Sequence, residues 1–132
     1  MSSFFMKVAI KFFSILPAII IIYSARAENV KTYESLWDLV KSTPNHKISD
    51  GGNAIVVDVS NHNSIYYFSK PGTPVYPSGI KRTIIEDSEG VTLQTEGWSF
   101  GPESAQPAFQ AWLAAFRKQA SEIQMQMRNQ GQ

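Results

Sequence analysis

The chain has 132 residues, 12 basic and 11 acidic side chains, and no cysteine. The missing thiols exclude a disulfide scaffold, a thiolate metal centre and a lipid anchor on cysteine. The near-balance of charge supplies no basic field for nucleic acid.

Lys7 and Lys11 precede a 14-residue uncharged run, Phe12 to Ala25, which leads into Ala25-Arg26-Ala27. A basic start, an apolar middle and a small-x-small site spell a secretory signal peptide over 1–27. A membrane-spanning helix needs about 20 apolar residues, so the run is short for an anchor. Cleavage after Ala27 leaves one domain, 28–132, with 9 basic and 11 acidic residues and a net charge of −2. The expected location is periplasmic or secreted, with no nucleic-acid partner and no stable membrane insertion after cleavage. A chain of this length buries roughly 65% of its unfolded surface, enough for a modest core without staples.

The spacing of Val30, Tyr33, Leu36, Trp37 and Val40 predicts a helix over 30–42, capped by Asn29 and stopped by Pro44. Asp50-Gly51-Gly52-Asn53 is a turn signal. Residues 54–60 alternate as a strand with Ile55, Val57 and Val59 on one face. Asn61-His62-Asn63-Ser64 breaks the run, and Ile65 to Phe68 returns as a second strand. Lys70 to Gly79 holds three prolines and reads as a stiff loop outside any ladder. Residues 82–87 and 91–96 form a third and fourth strand around Ser88-Glu89-Gly90. Gly97 to Pro102 is an aromatic loop.

Ser104 is placed as a helix cap and Pro107 in the first turn of that helix. Phe109, Trp112, Leu113, Phe116, Ala120, Ile123 and Met127 repeat at helical spacing over 105–128. Such a helix is about 36 Å long against about 20 Å for a six-residue strand, so its last turns, from Ser121, are expected to overhang or fray. The tail after Arg128 is polar. The expected architecture is α+β: a four-stranded antiparallel sheet flanked by an N-terminal helix and a long C-terminal helix, the helices covering one sheet face.

Asp58, Ser60, His62 and Ser64 supply a carboxylate, hydroxyls and an imidazole, the residue types of a hydrolase. A row along one strand does not make them converge, and no Gly-x-Ser-x-Gly elbow is present. A small hydrolase using His62 with Ser60 or Ser64 and Asp58 stands as the alternative function. His46 and His62 with Asp50 or Asp58 lack metal-ligand spacing. Glu86, Asp87, Glu89 and Glu96 surround a turn and read as a solvated edge. No catalytic residue, metal or cofactor is assigned.

The stronger pattern is a surface. Tyr66, Tyr76, Trp98 and Phe100 flank proline- and glycine-rich loops, where rigid rings bury area at low entropic cost. Tyr66, Tyr76 and Trp98 are the candidate binding residues. Trp98 and Phe100 have a competing role as plugs at the junction of the fourth strand and the C-terminal helix. Ile123, Met125 and Met127 offer an adaptable helix end, through which a structural or assembly role is a third option.

The pattern Phe68-x-x-Pro71-Gly72-x-Pro74-x-x-Pro77, then Gly97-Trp98, then Phe109-x-x-Trp112-Leu113-x-x-Phe116 resembles small exported bacterial proteins of uncharacterised function. The resemblance implies an exported domain and carries no activity or catalytic residue. The function expected from the whole is a non-enzymatic, exported binding or accessory domain. Its partner would be a protein, peptide or glycan of the envelope or medium.

Overall fold

The computed structural model describes residues 30–130. The expected signal peptide and the Asn29 cap lie outside the described residues. Helix α1, Tyr33–Lys41, starts one turn later than its periodicity suggested, because Thr32 and Ser35 build the cap. Thr32 Oγ1 accepts the Ser35 N–H and Ser35 Oγ accepts the Thr32 N–H, both at 3.0 Å. Val30, ahead of the cap, packs on the core instead of joining the helix.

Five strands follow, not four: β1 Lys47–Asp50, β2 Ala54–Val59, β3 Ser64–Ser69, β4 Ser78–Asp87 and β5 Gly90–Ser99. They pair antiparallel in chain order, β1-β2-β3-β4-β5. The extra strand, β1, has every side chain exposed. With one apolar residue among four it carries no alternation of its own, and β2 supplies its pairing. β4 begins at Ser78, inside the expected loop, and β5 runs on through Gly97 and Trp98 to Ser99. A 3₁₀ turn, Glu103–Ala105, takes in Ser104, which caps nothing, and helix α2 spans Gln106–Gln130.

The two helices lie on opposite faces of the sheet, which corrects the one-sided packing expected. Neighbouring residues on a strand point to opposite faces. A Cβ at Gly79 would meet Leu36 Cδ2 of α1 at 2.8 Å. The next residue, Ile80, clusters with Phe109 and Leu113 of α2. Across from Ile80, a Cβ at Gly97 would meet Phe109 Cζ at 2.9 Å and Leu113 Cδ1 at 3.1 Å. One glycine under each helix thus lets it approach the strand backbone.

Two small cores result. Tyr33, Leu36, Val40, Val57, Val59 and Phe68 fill the α1 side. Ile80, Phe109 and Leu113 fill the α2 side, with Tyr67, Trp112 and Phe116 around them. β4 and β5 each have ten residues, about 33 Å, and outrun the six-residue β3. α2 therefore stays on this hairpin as far as Gln124, past the Ser121 where overhang was expected: Ala120 is buried, and the Leu93 N–H donates to Gln124 Oε1 at 3.1 Å.

Candidate functional site

On the α1 face, two rows of cross-strand neighbours run side by side. Val57, Tyr66, Lys81 and Glu96 form one; Ile55, Phe68, Gly79 and Trp98 form the other. Gly79 offers no side chain, so Phe68 and Trp98 flank a gap that Leu36 enters. The rings assemble into a continuous row. Trp37 stacks on Phe68 at 4.1 Å between centroids, Phe68 lies 6.2 Å from Tyr66, and Tyr66 lies 6.5 Å from Trp98. All three pairs are within 18° of parallel. These rings lie close to parallel with their neighbours along the row.

Two of the three candidate binding residues, Tyr66 and Trp98, are thus in contact. Tyr76 is placed apart from them, packed edge-on against Tyr33 at 5.2 Å in the loop before β4. All three are half-buried against the α1 core, as is Phe100. Trp98 and Phe100 do not plug the junction with the C-terminal helix; they pack on the core of the opposite sheet face, with Tyr33, Leu36, Val57 and Phe68. The Phe100 N–H continues the strand pairing by donating to the Pro77 carbonyl at 2.9 Å.

Two charged residues that sequence reasoning passed over sit in the middle of the sheet. Lys81 is buried at 3% exposure, its ammonium 5.6 Å from the Tyr66 ring. Burial pulls its pKa down to about 8, partly offset by Glu96 across the strand pair. Arg82, the next residue, points to the α2 face and is 7% exposed. Its Nη2 donates to the Phe116 carbonyl and to Gln119 Oε1, each at 3.1 Å. Arg82 Nε and the hydroxyl of its cross-strand neighbour Thr95 are buried without a protein partner. A Lys-Arg dipeptide looks like surface in a sequence, and only the pairing of β4 between two strands reveals its burial.

Tyr33 anchors the other end of the aromatic group. Its hydroxyl donates to the Ser69 carbonyl at 2.6 Å. Burial, with Tyr76 and Glu34 adding to it, pushes its pKa up to about 12.

The residues of the hydrolase alternative do not assemble into a relay. The strand ends at Val59, and Ser60–His62 form a 3₁₀ turn closed by Asn63 in the left-handed region. Ser60 Oγ donates to Asp58 Oδ1 at 2.8 Å, while Ser64 Oγ donates to the His62 backbone carbonyl at 3.0 Å. The exposed His62 ring takes part in neither bond. His46 Nδ1 donates to the Thr43 carbonyl at 2.8 Å, far along the chain from His62. Among the described residues no three His, Asp or Glu side chains converge on a metal position. Glu86, Asp87, Glu89 and Glu96 are exposed, and Asp87 Oδ1 accepts the Glu89 N–H at 2.8 Å to shape the hairpin turn.

On α2, a groove of about 390 Å³ is lined by Trp112, Ala115, Phe116, Lys118, Gln119 and Glu122. Farther along, Met125 is exposed at 59% while Ile123 and Met127 are half-buried. No described helix is long and apolar enough to cross a membrane. No protein family matches the chain, and no curated protein or solved structure is significantly similar to it.

Proposed function

We propose that the protein is a non-enzymatic binding domain that acts after export, in the periplasm or the medium. It would take a protein, peptide or glycan on Tyr66 and Trp98, with Tyr76 at the margin. The observation that carries this reading is the Tyr66–Trp98 pair, two half-buried parallel rings 6.5 Å apart with the Lys81 ammonium beside them. Rings already held by Phe68 and Trp37 lose little freedom on binding, which favours recognition over rearrangement. Export rests on Lys7, Lys11, the run Phe12–Ala25 and Ala25-Arg26-Ala27.

The test is affinity capture from envelope and medium fractions with mass spectrometry. It is followed by titration of the identified partner against the purified protein. Trp98→Ala and Tyr66→Ala should each weaken that titration at least tenfold while the far-ultraviolet circular dichroism stays native. Unchanged affinity in both variants would move the site elsewhere.

A further inference from the structure

We propose that the open edge of β1 pairs with the same edge of a second copy, joining two five-stranded sheets into one. The direction of the backbone groups sets the geometry. The Gly51 N–H donates to the Ala54 carbonyl at 2.9 Å, so the groups of Gly51 face β2. Along a strand the N–H and C=O of successive residues point to alternate edges. Lys47 and Ser49 therefore bond to β2, and Ile48 and Asp50 present their N–H and C=O outward.

The opposite edge of the sheet is guarded. The outward Leu93 N–H of β5 is taken by Gln124 Oε1 of α2, and Phe109 and Leu113 roof Gly97. β1 has no such cover among the described residues. At its centre Ile48 is 52% exposed, one of three large exposed apolar side chains among the described residues.

A second copy fits this edge in one register. An antiparallel pairing about a two-fold axis normal to the sheet keeps each face continuous, so residues of the same parity must meet. It must also use the outward groups. Placing Ile48 opposite Ile48 of the second copy satisfies both. On the α1 face the two isoleucines then cover each other, and each Asp50 stands opposite a His46. On the other face each Lys47 stands opposite a Ser49. No like charges are directly opposed. A shift of two residues would set Ile48 against Asp50 or His46 and leave both isoleucines without an apolar partner. The short strand makes this a weak dimer, with a dissociation constant on the order of 100 μM, as small interfaces give. The pairing does not depend on the binding role proposed above.

The experiment is sedimentation equilibrium of the full chain from about 10 μM to about 1 mM. The wild type should pass from monomer to dimer over that range. Ile48→Lys opposes two cations, and Ile48→Pro deletes the outward N–H without touching the β1–β2 bonds; both should stay monomeric with unchanged melting temperature. Because the chain lacks cysteine, Ile48→Cys gives a clean probe of register. A short bis-maleimide cross-linker, which adds one thiol at each end, should join Ile48→Cys chains and leave exposed single-cysteine controls at Glu103 unlinked. A wild type that remains monomeric at the highest concentration overturns the proposal. So does equal dimerisation of the Ile48→Lys variant, which would place the contact elsewhere, or a monomer that accepts only a foreign extended peptide.

Discussion

Arg82 grips Phe116 twice: Nη2 donates to its backbone carbonyl at 3.1 Å, and the guanidinium carbon lies 5.1 Å from its ring. One side chain thereby ties the centre of β4 to the middle of α2. The same guanidinium also faces the Tyr67 ring at 5.9 Å, and the one ion pair found between described residues, Lys70–Asp50, is elsewhere.

A buried cation held by carbonyls and rings alone bears a desolvation cost that its partners only partly offset. Arg82→Met keeps the stem and removes the charge, and should leave stability within about 1 kcal/mol of wild type or raise it. Arg82→Ala also removes the stem and should cost about 2–4 kcal/mol through the cavity. Thr95→Val, next to it, replaces an orphan hydroxyl with a methyl and should stabilise by about 1 kcal/mol. Urea denaturation of the three variants checks the order; Arg82→Met falling as far as Arg82→Ala would show that the cation itself holds the helix.

Gly97 tests the close approach of α2. An alanine there drives its Cβ to 2.9 Å from Phe109 Cζ and 3.1 Å from Leu113 Cδ1. Overpacking of this kind should cost about 1–3 kcal/mol. In the Gly97→Ala, Leu113→Ala double variant the space vacated by leucine should receive the new methyl. The two losses should then sum to less than their separate values by about 1 kcal/mol. Strict additivity in denaturant melts would mean that the helix simply shifts away.

The pH dependence of stability has a worked sign. Lys81, pulled down to about 8 by burial, releases its proton in the folded chain while the unfolded chain holds it up to about 10.5. In that window the unfolded state binds more protons, so stability rises with pH. Tyr33, pushed up to about 12, keeps a proton that the unfolded chain loses at about 10, so stability falls above that value. The urea midpoint should climb from pH 8, peak near pH 10 and then drop. Lys81→Met should flatten the climb and keep the drop; a wild-type midpoint that declines from pH 8 to 10 would contradict this assignment.

Tyr76 has a structural share in the fold through its edge-on contact with Tyr33. Tyr76→Ala should cost about 1–2 kcal/mol, from the ring pair and the half-buried area together. The Tyr33→Phe change removes the 2.6 Å bond to Ser69 but keeps the ring pair. It should lose about 1 kcal/mol or slightly more and leave the effect of Tyr76→Ala intact. Thermal melts of the single and double variants measure both.

The helices and the alternating strands were legible in the sequence because burial repeats along them. Tyr33, Leu36 and Val40 mark α1, Phe109 and Leu113 mark α2, and Val57 and Val59 mark β2. What escaped has a common physical cause: it is set by a neighbour across the sheet. β1 exists because β2 offers it an edge. Gly79 and Gly97 resemble loop residues until a helix lies on each. Lys81 and Arg82 look solvated until strands close on both sides. Of the candidate site, Tyr66 and Trp98 were found as residue types beside loops. Their contact depends on the register that sets Gly79 between Phe68 and Trp98, which no local spacing announces.

The strand order also bears on how fast this chain can fold. Each strand pairs with the one just before it, so the sheet can grow by successive hairpins, with no long loop to close in advance. The β4–β5 hairpin, joined by a two-residue turn at Ser88–Glu89, is the most local start, and α2 follows it directly in the chain. Such short-range topology favours faster assembly of the sheet than pairings between distant strands would. Only α1, whose Leu36 must find Gly79 across four intervening segments, has to wait for the sheet to arrive.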